Sequence, residues 1–119
     1  MCGRYNFSKE TSSEMIQAVL ENLQSRQIEV KTGEVFPGDV AAVIASNRKL
    51  DPQTFGMKWG YQLPDGKLIF NASSETAAQK AMFVDGMRQR RCLVPADSYY
   101  EWQKTGQGKQ KYEIAPADV

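Results

Sequence analysis

Histidine is absent from all 119 residues, so neither a Cys-His nor a Ser-His pair for nucleophilic catalysis can be assembled from this chain. Cysteine is nearly absent too: Cys2 and Cys92 stand far apart without CxxC spacing, which argues against a disulfide framework or a structural zinc site. No apolar run approaches the roughly 18 residues of a membrane span. No basic segment followed by an apolar stretch marks a signal peptide. A reducing, cytoplasmic setting is expected, with no membrane partner. Net charge is only +1, so neither sign of charge dominates the chain as a whole. The 41% hydrophobic and 24% charged content is that of an ordinary folded protein, and 119 residues suffice for one core but not two. Residues 1–119 are therefore read as one domain.

The pattern that is present describes short elements. Thr11-x-x-Glu14 has capping-box spacing ahead of Met15, Ile16, Val19, Leu20 and Leu23, which share one helical face and predict a helix over 12–25. Phe36-Pro37-Gly38 punctuates the chain, Val40 to Ala45 reads as an apolar strand, and Asn47-Arg48 as its turn. Large side chains alternate from Phe55 to Tyr61, as in a strand with one buried face. Pro64-Asp65-Gly66 marks a loop tip before a short strand, Leu68 to Phe70. Glu75–Ala81 and Val84–Gln89 suit short helices, and Cys92-Leu93-Val94 a buried strand. Ser98–Lys104 and Lys109–Ile114 flank Thr105-Gly106-Gln107-Gly108 as a hairpin. Many short strands with few helices predict an α+β fold built on mixed, mainly antiparallel sheet.

Cys2 follows Met1 directly. Small residues at the second position normally allow the first methionine to be trimmed, which would leave a thiol and a free α-amine on adjacent carbons. Such an aminothiol captures aldehydes near neutral pH: the amine forms an imine, then the thiol adds to the same carbon and closes a thiazolidine ring. A small buried cysteine near a terminus is the plainer reading. Glu101 stands between Tyr100 and Trp102, and strand alternation puts it on the opposite face from both. It either faces solvent or, half-buried in a cleft, is suited to proton transfer. Asn71 ends an apolar strand, where its amide would orient a substrate oxygen or form an Asx turn. Arg4 is suited to a phosphate or to a surface carboxylate. From Arg88 to Lys111 six cations face only Asp97 and Glu101, a basic stretch that either tracks a phosphate backbone or is simply solvated.

Taken in order, Met1-Cys2-Gly3-Arg4, Trp59-Gly60-Tyr61, Asn71-Ala72-Ser73-Ser74-Glu75-Thr76 and the run from Arg91 to Trp102 resemble the SOS-response-associated peptidase family, also called abasic-site processing proteins. The resemblance runs from Cys2 to about Ile114. It implies a barrel-like α+β domain that shields abasic sites in single-stranded DNA through a stable cross-link on the N-terminal cysteine. By motif, Cys2 is then the nucleophile, Asn71 positions the sugar, Glu101 transfers protons, and Arg4 lines the phosphate path. Gly3, Arg4, Asn71, Ser73, Arg88 and Lys104 are the expected DNA contacts. Lyase and self-cleaving peptidase activities are further implications, and neither a metal nor an organic cofactor is needed.

Three departures from the family pattern stand out. The family domain is close to twice this length, and its catalytic histidine belongs to the half not represented here. Ser73 replaces an arginine, which puts one phosphate contact in doubt. Asp65-Gly66 follows Pro64 where relatives carry a tryptophan, so a stacking wedge worth about 1–3 kcal/mol is in doubt as well. A half-length domain exposes sheet edges, and a second copy or the missing C-terminal half is expected to cover them. A non-catalytic nucleic-acid- or protein-binding relative and a thiol peptidase acting in trans are the alternative functions.

Overall fold

The computed structural model describes residues 2–117. Three antiparallel sheets and two helices make an α+β fold. The main sheet has the order β2-β1-β7-β8. Its second strand in that order, β1 (Tyr5–Phe7), pairs on one side with β2 (Gly33–Val35) and on the other with β7 (Ser98–Thr105), which forms a hairpin with β8 (Gly108–Ile114). The strands β3 (Val40–Ser46) and β4 (Pro52–Lys58) form a second sheet, and β5 (Tyr61–Gln62) and β6 (Leu68–Ile69) a third.

The helix α1 (Glu14–Ser25) places Ile16, Val19 and Leu23 on one stripe, and all three are buried against Tyr5, Phe7, Val35, Ala41 and Ala42. Each such side chain contributes about 1.5–3 kcal/mol by leaving water. Met15 lies at the rim of that stripe and is exposed, contrary to the shared face expected from the sequence. The cap also differs. Ser13, not Thr11, is the N-cap, its Oγ accepting the Ile16 N–H at 3.3 Å. Thr11 is engaged elsewhere: its hydroxyl accepts from Ser13 N and donates to the Asp97 carboxylate, which also accepts from Ser8 N at 2.7 Å. Asp97 thereby ties the start of α1 to the start of β7.

Four further expectations are corrected. Residues 55–61 are not one strand, because the chain breaks at Trp59-Gly60, where Gly60 has φ +108° and Trp59 bonds back to Gly38 and Asp39. Glu75–Ala81 is a series of turns; Thr76 N and Ala77 N both donate to Ser73 O. Cys92-Leu93-Val94 is exposed and makes only the isolated bridge Leu93–Ile44, since Pro95 follows and has no N–H to extend it. Finally, no sheet closes into a barrel among the described residues. The hairpin Asn47–Asp51, the Pro64–Gly66 tip and the second helix, α2 (Val84–Gln89), agree with the sequence reading.

The result is an open shape. The radius of gyration is 15.8 Å, against about 13.5 Å for a compact domain of this length. Every residue of β8 is exposed, and Tyr99, Tyr112 and Ile114 present apolar surface to solvent.

Gly60 illustrates how tightly the break between β4 and β5 is set. A Cβ there would lie 2.8 Å from Leu68 Cγ, in a backbone conformation that side chains rarely adopt. Gly60→Ala is expected to destabilise the protein by about 2–4 kcal/mol, read as a lower urea midpoint at unchanged m-value.

Candidate functional site

Strand β1 delivers the N-terminal residues to an open cleft of about 850 Å3. Cys2 lines it, together with Tyr5, Trp59 and the small side chains Ala41, Val43 and Ala45 of β3. Lys58, Arg88, Arg90 and Arg91 line the same cleft and give it a cationic character, and Cys92 joins them. The leading segment is held by main-chain contacts: Arg4 O accepts from Tyr100 N at 3.0 Å and from the Cys2 thiol at 3.6 Å.

Aromatic rings support this segment. Tyr5 and Trp59 have centroids 5.5 Å apart, and Trp59 meets Phe70 edge-on at 6.3 Å. The Phe70 ring in turn lies over Gly3, where a Cβ would sit 3.6 Å from it. Asn71 follows Phe70 directly and is half-buried, so the strand end expected to carry a substrate-orienting amide runs beside the N-terminal residues. Tyr5 pairs with Tyr99, so Glu101, two residues along β7, shares the sheet side of Tyr5. Glu101 is half-buried there, while Tyr100 and Trp102 project from the other side toward Arg4 and Lys111. The opposed faces predicted for β7 are thus observed.

The remaining candidates scatter. Arg88 lines the cleft from the last turn of α2. Ser73 is exposed and its hydroxyl donates to the Glu75 carboxylate, which that bond holds below the ordinary carboxylate range. Lys104 is exposed near the tip of the β7–β8 hairpin, opposite Lys109, well along the strand from Glu101. The basic stretch therefore divides into a cleft-lining arginine group, a hairpin-tip lysine pair, and Lys111, which bonds Glu34 at 3.1 Å. Among the described residues no three histidine, cysteine, aspartate or glutamate side chains converge as a metal site would require. No helix among them is long and apolar enough to cross a membrane.

Two features escaped the sequence reading. Cys92 was expected in a buried strand, yet it is exposed beside the cleft; the preceding Arg90-Arg91 was the available signal that this segment faces water. Tyr5 is the other. Burial first, then the electrostatic influence of Asp39, Cys2 and Cys92, pushes its phenol up to about 12, so it is a neutral hydroxyl at any physiological pH.

The architecture is that of an α+β domain with a cysteine three residues ahead of its first strand, at a cationic cleft. The SOS response associated peptidase (SRAP) family model matches residues 1–119, and the chain belongs to that family. It is 30% identical over 126 residues to the abasic site processing protein YedK of Escherichia coli, covering 99% of this chain and 55% of YedK. It is 28% identical over 115 residues to YoqW of Bacillus subtilis, also named an abasic site processing protein, covering 87% and 49%. A crystal structure of a Bordetella bronchiseptica protein superposes with a TM-score of 0.68 at 20% identity, covering 98% of this chain and 58% of that one, which supports the fold. The chain spans about half the length of the curated relatives it matches.

The Tyr5 shift has a defined consequence. An unfolded tyrosine ionises near pH 10, whereas folded Tyr5 holds its proton to about 12, so the folded state binds more protons between those values. Its contribution is fully present below pH 10 and is lost as pH rises through 12. Ultraviolet difference titration is expected to show one of the five tyrosines ionising late, and Tyr5→Phe to remove that late phase.

Proposed function

We propose that this chain processes abasic sites in single-stranded DNA by forming a covalent cross-link through Cys2. The observation that carries this reading is the placement of the Cys2 thiol at a cleft lined by four cations. The names of its relatives point the same way. An abasic deoxyribose opens to an aldehyde, and arginines at a cleft suit the phosphates flanking it. Once Met1 is removed, the Cys2 amine attacks the aldehyde carbon and water leaves to give an imine. The thiolate sulfur then adds to the imine carbon while the nitrogen takes a proton, so aldehyde and aminothiol become thiazolidine and water. Glu101, on the Tyr5 side of β7, would accept and return those protons. Asn71, the residue after Phe70 whose ring lies against Gly3, would hydrogen-bond the sugar. Only an unpaired or flipped-out sugar reaches such a cleft, which accounts for a single-strand preference. Elimination from the imine before ring closure would give a lyase side reaction.

A second reading, a binder without chemistry, is favoured by Ser73. Its hydroxyl is engaged by Glu75 where the family pattern has an arginine.

Incubation with an oligonucleotide bearing one abasic site is expected to give a heat-stable band shift that Cys2→Ser abolishes. Glu101→Gln should slow adduct formation by about 100-fold or more. A heat-labile shift identical in wild type and Cys2→Ser would favour the second reading instead.

A further inference from the structure

On the sheet side opposite Tyr5, Arg4 and Lys111 share a single carboxylate. Glu34 Oε2 accepts from Arg4 Nη1 at 3.3 Å, and Glu34 Oε1 accepts from Lys111 Nζ at 3.1 Å. Rings enclose both cations. The Arg4 guanidinium lies between Phe36, 4.4 Å from the ring centroid, and Trp102, at 4.9 Å. The Lys111 ammonium lies over Tyr100 at 4.4 Å and Trp102 at 5.8 Å. Held against these two rings, the guanidinium meets Glu34 through Nη1. The Arg4 Nε–H is buried without a hydrogen-bond partner among the described residues, so Glu34 leaves donor capacity unused.

We infer that Glu34 is a tethered stand-in for a DNA phosphate: it holds the Arg4–Lys111 pair in place and gives way to a phosphodiester when single-stranded DNA binds. Two cations and one carboxylate leave a local charge of +1, matched to one phosphodiester. The exchange is inexpensive, because all three side chains remain 29–40% exposed and ion pairs so exposed are weak. Glu34 therefore tunes affinity without blocking the site. Arg4 is two residues from Cys2 in the chain, and its guanidinium lies on the sheet side away from Tyr5, against Phe36 and Trp102. The inference rests on the reading of the chain as a single-stranded DNA binder, and it is independent of the cross-linking step.

The test is equilibrium binding of a fluorescein-labelled oligothymidylate without abasic sites, measured by anisotropy across a salt series. Glu34→Gln is expected to bind about threefold or more tightly than wild type at low salt. Its log affinity should fall more steeply with log salt, by about 0.7 for each additional phosphate neutralised. Lys111→Gln, which leaves Glu34 to neutralise Arg4 alone, is expected to weaken binding and flatten the slope by a similar amount. Equal or weaker binding by Glu34→Gln with an unchanged slope would overturn the inference and leave Glu34 as a structural tie. Absence of binding by the wild type would overturn the DNA reading as well, whereas loss of the abasic adduct with intact binding would count only against the covalent step.

Discussion

Three residues of strand, Tyr5 to Phe7, decide where the N-terminus of this protein goes. A strand so short has little stability alone, and it is fixed because it is paired on both edges, with β2 and with β7. Its outward neighbours follow from that pairing. Arg4 O completes the ladder to Tyr100 N, so Cys2 and Gly3 leave the sheet in one direction, toward the cleft. Side-chain alternation then assigns the two sides of the sheet: Tyr5 and Glu101 on one, Arg4, Tyr100 and Trp102 on the other. If the pairing of β1 with β7 slipped by a residue, Tyr5 and Glu101 would move to opposite sides.

The two sides are stabilised by different physics. Toward α1 the sheet is an ordinary apolar core, with Phe7, Ile16 and Val35 essentially free of solvent contact. On the reverse, cations lie against rings: Lys31 and Arg4 flank Phe36, and Arg4 and Lys111 reach Trp102. Such contacts add about 0.5–1 kcal/mol apiece at exposed sites and, unlike an apolar core, they leave charge available to a polyanion. The arrangement is thus suited both to holding the strand and to meeting a phosphate backbone.

The open side of the molecule also has a physical cause. The β7–β8 hairpin extends past the core with β8 as an uncovered edge strand, and among the described residues the β3–β4 sheet pairs with no other named strand, meeting β1 and β2 through the core side chains Ala41 and Ala42. Relatives of about twice the length have additional chain with which to cover such surfaces. Exposed tyrosine and isoleucine on β7 and β8 are what an interface for further chain, or for a second copy, would use.

Much of this was legible beforehand. The 3.6-residue spacing of Ile16, Val19 and Leu23 fixed the helix, and the Thr105–Gly108 turn fixed the last hairpin, because both depend on local backbone preference and burial pattern. The alternation around Glu101 likewise needed only strand geometry, and the leading Cys-Gly-Arg with its later motifs was enough to place the chain in its family. What local pattern misassigned were positions settled by distant partners. Thr11 serves Asp97 instead of the helix cap; Trp59 is drawn out of its strand by Gly38 and Asp39; Cys92 stays outside the sheet because Pro95 ends its pairing. Nor could spacing reveal that Glu34 would fall between Arg4 and Lys111, residues far apart in the chain. Sequence determined the first helix, the last hairpin and the family to which the chain belongs. Tertiary structure alone decided which charges and rings meet, since those contacts depend on the strand order β2-β1-β7-β8, a long-range pairing that no short window of residues encodes.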